Sequence, residues 1–464
     1  MPKDISKVFK AYDIRGLSPG ELTADFTERL GRALVRRFRC KHVMVGRDMR
    51  QSSPELEDAL VRGITSQGAD VTRIGLCSTP MFNVSMGRAA GRYDFGVMVT
   101  ASHNPPKYNG FKMVDGNVYP VGEGSGMEEL RDAYISGELY EDAATPGDVH
   151  DDTEALRAYL DSIFDLVDTS EFPAMTIAAD AGNGMNGLVL PEFAKRLPSM
   201  HILPLFWELD GRFPNHEANP LKIETLTTLS ETVVKNHCRF GVAFDGDGDR
   251  VGFVDENGEP IPGDLMTAIL AGGLLKDHPD ALILRDLRCS WSTEEAILAA
   301  GGRTDMTRVG HAFIKRQLRE RGGLFGGELS MHYYFRDLWG VESGDLCLLL
   351  LMKILSETEQ PISSLWKPLK RYANSGEVNS EVRNKDAVLD RIRKQYQSEA
   401  TDIREIDGIR MEFYVGEDGS KNDLSWWFSV RASNTEPLIR LIVEAVRPDV
   451  MEAKREELLD LIRS

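Results

Sequence analysis

The chain has 464 residues, of which 42% are hydrophobic, 28% charged and 8% aromatic, and its net charge is −18. That length exceeds what one hydrophobic core fills and predicts about three or four domains; no apolar run approaches the roughly 20 residues of a membrane span. The acidic balance argues against nucleic acid, whose backbone is bound by clustered Lys and Arg, but not against a small anionic substrate, because a few local arginines dominate a pocket.

The start, Met1-Pro-Lys-Asp-Ile5, lacks the apolar centre of a secretory leader. Cys40, Cys77, Cys238, Cys289 and Cys347 are scattered without paired spacing, which predicts reduced thiols in the cytoplasm. The first motif in chain order is Phe9-Lys-Ala-Tyr-Asp-Ile-Arg15-Gly16, an ordinary strand-to-turn junction or a functional arginine. Three apolar runs then end in an aspartate ahead of a helix-like stretch: Val43–Asp48, Met175–Asp180 and Ala281–Asp286. Strands alternating with helical patterns predict parallel α/β layers, here three related units. Seams are expected near Thr145–Asp148, after Asp255, and at Lys367–Tyr372.

The strand Phe95–Val99 leads into Thr100-Ala-Ser102-His103-Asn104-Pro105. A serine at a strand end beside a histidine suits a covalent phosphoryl carrier; an Asx or Ser turn capping the next element is the plain alternative. Tyr108-Asn-Gly-Phe-Lys112 brings a lysine within reach of that loop.

Asp245-Gly-Asp247-Gly-Asp249-Arg250 follows the apolar Phe240–Phe244 and carries the sharpest signal. Three alternate carboxylates aimed at one point repel one another unless a cation sits between them. Mg²⁺ suits such an oxygen set, keeping open positions for phosphate. An EF-hand Ca²⁺ loop is the competing reading, with Asp245, Asp247, Asp249 and Glu256 at positions one, three, five and twelve. Arg250 stands where that loop needs glycine, and Val251–Val254 followed by Glu256-Asn-Gly258 reads as strand and hairpin turn.

Further on, Gly327-Glu328-Leu-Ser330-Met331-His332 offers a carboxylate, a hydroxyl and an imidazole for sugar hydroxyls, or a satisfied polar turn. The last segment pairs strands Leu424–Val430 and Leu438–Ala445 ahead of a helix from Val450 to Arg463. Between the strands, Arg431-Ala-Ser433-Asn434-Thr435 suits an anion nest or a plain hairpin loop.

In this order, FKAYDIRG at 9–16, TASHNP at 100–105 with YNGFK at 108–112, DAGNG at 180–184, DGDGDR at 245–250, GELSMH at 327–332 and RASNTEP at 431–437 resemble the α-D-phosphohexomutase family from end to end. The resemblance implies an α/β, heart-shaped, four-domain enzyme: three similar α/β domains and a smaller α+β C-terminal domain around one central cleft. The boundaries expected are 1–147, 148–256, 257–368 and 369–464.

Carried over by position, Ser102 is similar to the family's phosphoserine, and Asp245, Asp247 and Asp249 with a phosphate oxygen on Ser102 would hold Mg²⁺. Lys112, His103, Arg15 and Arg250 would line the transfer site, with Lys112 as general base and acid and its pKa lowered by Arg15 and Arg250. Glu328, Ser330 and His332 would read the sugar, and Arg431, Ser433, Asn434 and Thr435 the unreacting phosphate.

The sugar loop, followed by His332-Tyr-Tyr-Phe-Arg336-Asp337, looks nearest to phosphomannomutase-type members. Dual phosphomannomutase/phosphoglucomutase or phosphoglucomutase action is the alternative, and phosphoglucosamine mutase ranks third. Met331 stands where many members carry a small residue, and its bulk is expected to bear on the sugar pocket. The expected activity interconverts mannose 6-phosphate and mannose 1-phosphate, with a hexose 1,6-bisphosphate as intermediate and activator, in a cytoplasmic monomer or homodimer. A phosphatase discharging Ser102 to water and a non-catalytic sugar-phosphate sensor are the rival classes.

Overall fold

The computed structural model describes residues 5–136, 140–416, 418–432 and 438–464. It contains two compact units. The first comprises residues 1–263, 315–326 and 330–363, and the second 264–314, 327–329 and 364–464.

In the first unit, one sheet runs in the order Ile14–Leu17, Tyr108–Asp115, Phe95–Val99, His42–Arg47, Asp70–Leu76, Val149–Asp151. His42–Arg47 pairs in parallel with Asp70–Leu76 and with Phe95–Val99, whereas Tyr108–Asp115 returns antiparallel to Phe95–Val99. Every residue of Phe95–Val99 is buried, as expected of a continuous apolar strand covered on both faces. The helix Ala24–Phe38 starts at Thr23, whose hydroxyl accepts from the Phe26 amide. It buries Phe26, Leu30 and Leu34 with Val43, Val45 and Val97 in one core. Against it lies the helix Ser53–Thr65, so close that a Cβ on Gly63 would stand 2.1 Å from the Glu28 carbonyl oxygen.

The second sheet of this unit repeats the plan. Its order is Pro260–Ile261, Val251–Val254, Gly241–Phe244, Met175–Asp180, Met200–Leu205. Met175–Asp180 is parallel to both neighbours, and Val251–Val254 returns antiparallel to Gly241–Phe244. In both sheets a parallel strand runs out into a loop and an antiparallel strand comes back. The loops are residues 100–107 and 245–250, at the carboxyl ends where open α/β sheets place ligands.

In the second unit, Leu282–Asp286 is parallel to Arg303–Thr307. The three strand-terminal aspartates behave alike. Asp48, Asp180 and Asp286 are fully buried, and each accepts the backbone N–H two residues on, from Arg50, Gly182 and Arg288. That shared Asx turn is the local chemistry behind the recurrence in the sequence.

The C-terminal sheet is antiparallel, in the order Ala373–Asn374, Leu438–Ala445, Trp426–Ala432, Ile409–Phe413, Asp402–Arg404. The helices Lys385–Tyr396 and Pro448–Arg463 bury Val388, Ile392, Leu458 and Ile462 in its core. The strand expected from Leu424 begins at Trp426 instead. Asn422 holds a turn there, its side chain accepting from the Leu424 amide, and Leu424 is exposed. Among the described residues no helix is long and apolar enough to cross a membrane.

Candidate active site

Ser102 leaves its strand end with φ at 50°, a left-handed conformation that a residue with a Cβ adopts only under constraint. Its amide donates to Thr100 Oγ1 at 2.9 Å, and its hydroxyl donates to Asp245 Oδ2 at 2.6 Å. His103 Nδ1 lies 3.2 Å from the same hydroxyl. The second loop comes this near because residue 246 is glycine: a Cβ there would stand 2.4 Å from the Ser102 carbonyl oxygen.

Asp245, Asp247 and Asp249 are buried, and one carboxylate oxygen from each lies within 4.8 Å of the others. Asp247 Oδ2 accepts from Thr79 Oγ1 and from Lys112 Nζ, each at 2.6 Å, and Lys112 also pairs with Asp249. Asp247 Oδ1 is buried without a hydrogen-bond partner. Burial, then Asp249 and Asp247, push the Asp245 carboxyl up to about 8. Three crowded carboxylates with an open oxygen fit a hard divalent cation.

The transfer-site expectations gather here. Arg15 Nη1 donates to the Ala101 carbonyl at 3.1 Å and to Asn104 Oδ1 at 2.9 Å. Arg250 donates through its amide to Asp245 Oδ1 at 3.1 Å and through Nε to His332 Nε2 at 3.3 Å. The same His332 Nε2 lies 3.4 Å from Asp249 Oδ1, and its Nδ1 is 3.3 Å from Ser330 Oγ.

One expectation is overturned. The Lys112 pKa is not lowered: burial and Arg15 pull it down, but Asp247, Asp249 and Asp245 outweigh them, and the ammonium is held above its ordinary range. His103 moves the other way: burial, then Arg250 and Arg15, keep its imidazole neutral.

Met331 takes φ at 65° and is buried. Its carbonyl accepts from the Val251 amide at 3.0 Å, and its sulfur seats over Gly252, 3.0 Å from where a Cβ would stand. Its bulk is thus taken up by the strand Val251–Val254.

In the second unit, Glu328 is buried and accepts from the Gly310 amide at 2.8 Å. Arg431 lies 3.5 Å from Glu377 and 3.7 Å from Asp407. Ser433, Asn434 and Thr435 fall outside the described residues.

Two contributors escape sequence reasoning. Thr79 sits in a readable helix start, Ser78-Thr-Pro80, with Ser78 accepting from the Met81 amide. Nothing local announces that its hydroxyl and amide both engage Asp247. Arg50 is legible only as the residue after an Asx turn, yet its guanidinium reaches the Ser102 carbonyl at 2.7 Å.

Four family models cover the chain: phosphoglucomutase/phosphomannomutase α/β/α domain I over residues 6–140, domain II over 157–258, domain III over 262–372, and the C-terminal domain over 377–461. Among relatives, a phosphomannomutase of Methanocaldococcus jannaschii is 37% identical over 98% of this chain and 97% of its own. A protein of Xanthomonas campestris pv. campestris named phosphohexose mutases is 36% identical over 98% and 99%. The crystal structure of a phosphoglucomutase/phosphomannomutase family protein from Burkholderia thailandensis matches with a TM-score of 0.87 and 30% identity, covering 99% of this chain and 97% of that one.

Proposed function

This chain belongs to the phosphoglucomutase/phosphomannomutase family, and from that premise we propose that it interconverts mannose 6-phosphate and mannose 1-phosphate. It is an enzyme of the phosphotransferase and isomerase class. The observation that carries the reading is the Ser102 hydroxyl set 2.6 Å from a buried carboxylate of a metal-compatible triad. The names of the full-length relatives support mannose.

In this reading Asp245, Asp247, Asp249 and an oxygen of phosphoserine 102 would hold Mg²⁺, whose charge would offset that of the phosphoryl group. The chain's own residues do the rest. The Oγ–P bond of phosphoserine 102 breaks as a P–O bond forms to the sugar's free hydroxyl, whose proton leaves. Neutral His103 is the group suited to receive that proton. Lys112, held protonated beside Asp247 and Asp249, with Arg15 and Arg250 supplies fixed positive charge where charge spreads in the transition state. The resulting hexose 1,6-bisphosphate turns over, its other phosphate returns to Ser102, and the same bisphosphate primes unphosphorylated enzyme. Glu328, Ser330 and His332 read the sugar hydroxyls. Arg431 with Ser433, Asn434 and Thr435 holds the phosphate that is not reacting.

We place the domain boundaries at 147/148, 256/257 and 368/369; the first falls in the gap between the family matches 6–140 and 157–258, and the other two lie just inside the ends of the matches that close at residues 258 and 372. We place the enzyme in the cytoplasm as a monomer or homodimer acting on hexose phosphates; its five buried, unpaired cysteines support a reducing compartment. A second reading, dual use of mannose and glucose phosphates, is favoured by the relative named for phosphohexoses at large.

A coupled assay on mannose 1-phosphate and glucose 1-phosphate, with Mg²⁺ and catalytic bisphosphate, tests both. A tenfold preference in kcat/KM for mannose, about 1.4 kcal/mol of discrimination, marks a phosphomannomutase. Comparable rates mark a dual enzyme, and turnover of neither overturns the proposal.

A further inference from the structure

We propose that Arg50 is a positioning residue that sets the distance between Ser102 and Asp245, an inference that rests on Ser102 being the phosphoryl carrier. Its side chain is fully buried, yet it touches none of the carboxylates that hold the metal in that reading. Nη1 donates to the carbonyls of Pro105 at 2.9 Å and Tyr108 at 3.0 Å, and Nη2 to those of Ser102 at 2.7 Å and Asn104 at 2.6 Å. One planar fork thus collects three carbonyls of the loop 100–107 and that of Tyr108, the first residue of the returning strand.

A buried guanidinium needs a counter-charge. Asp48 supplies it, with Oδ2 3.2 Å from Arg50 Nε, while Asp48 Oδ1 accepts from the Arg50 amide and from Ser53 Oγ. Phe213 covers the guanidinium face at 5.1 Å. The fork is therefore pinned by the strand end on one side and an aromatic ring on another.

The Ser102 carbonyl is the contact that matters most. It is wedged between Arg50 Nη2 and the Cα of Gly246, where a Cβ would stand 2.4 Å away. Pushing on one end of that peptide moves the other, and the other carries Oγ at hydrogen-bond distance from Asp245. Ser102 also holds a left-handed φ, a conformation that persists only where surroundings over-determine it. Lysine has the charge but only three donors on a single point, so it cannot reproduce the fork.

The test compares Arg50→Lys and Arg50→Ala with the wild-type full chain. Both variants are expected to lose about 100-fold in kcat, about 2.7 kcal/mol at the transition state, with KM for the sugar phosphate changed by less than about threefold. Guanidinium ion, and not methylammonium, is expected to restore Arg50→Ala by about tenfold or more. Deuterium uptake over residues 101–108 should speed up in both variants while uptake over 95–99 stays protected. A loss carried by KM, equal rescue by both cations, or unchanged uptake over 101–108 overturns the proposal. Should the Arg50 variants fail to fold, Gly246→Ala presses on the same carbonyl from the opposite side. It must then give the same kcat-selective loss and faster uptake, and a normal kcat overturns the assignment. The uptake measurement needs no turnover, so a chain without mutase activity would sink the functional reading and still decide the role of Arg50.

Discussion

Two buried acidic clusters in this molecule are built to opposite ends. At the loop 245–250, three carboxylates crowd together, Asp247 Oδ1 and Asp249 Oδ1 are left without a hydrogen-bond partner, and burial with like charges lifts Asp245 to about 8. In the second unit, Glu412 is as deeply buried, but Arg410 Nε donates to it at 2.8 Å, the Trp291 indole at 2.8 Å and the Tyr414 hydroxyl at 2.5 Å. Burial raises its pKa, but Arg410 and these hydrogen bonds outweigh burial and pull the carboxyl down to about 2. A satisfied acid is part of the frame; an acid left wanting a cation is part of the chemistry.

The largest expected effect lies at the active cluster. Ser102→Ala should lower kcat by roughly four orders of magnitude, since it removes the covalent carrier itself. Its thermal midpoint should fall only modestly, by the one hydrogen bond that the hydroxyl donates to buried Asp245, about 1–3 kcal/mol. Near-normal turnover in a coupled assay would end the phosphoserine reading.

The framework cluster should answer in stability instead. Glu412→Gln leaves the Arg410 charge buried and unpaired, so denaturant unfolding should show a loss of about 3–5 kcal/mol. Residual kcat per folded molecule should hold. If activity collapsed while stability did not, the division between the two clusters would be wrong.

Metal separates them a third way. Mg²⁺ at about 100 times its Kd should stabilise the folded chain by about 2.7 kcal/mol, seen as a rise in thermal midpoint that a chelator reverses. Asp245→Asn should abolish that rise and Glu412→Gln should keep it.

The smallest effect is a slope with pH. Burial lifts Asp264 and Asp345 to about 6, above the unfolded carboxyl near 3.9. The folded state therefore binds the extra proton, and stability rises as pH falls through 6. Each group should add about 0.8 kcal/mol between pH 7 and 5.5. Glu412, held low, contributes stability that is present above about 4.5 and lost as pH falls toward 2. Melts across this range should flatten in Asp264→Asn and Asp345→Asn, and a stability that fell between pH 7 and 5.5 would contradict the sign.

Much was readable before any coordinates. The strands Phe95–Val99, Met175–Asp180 and Val251–Val254 stand where apolar runs and turn residues put them, because both signals act over a few neighbouring residues. The motif residues Ser102, His103, Lys112 and the three aspartates were identifiable by type, since each belongs to a local pattern. Arg50 and Thr79 were not, as their partners lie more than fifty positions away in the chain. The seat of the Met331 side chain was hidden for the same reason: it lies over Gly252 on a remote strand, where a Cβ would stand 3.0 Å from the sulfur.

The sequence by itself determined which chemical groups stand at the ends of which strands, and through the end-to-end resemblance which family they serve. Those are properties of short segments, where periodicity and turn chemistry act directly. Tertiary structure decided the rest: the 2.6 Å between Ser102 and Asp245, the protonated state of Lys112, and the arginine fork behind the carrier loop. Distances between loops follow from sheet order, and protonation follows from burial and neighbouring charge. Both come into being only when segments far apart in the chain are packed against one another.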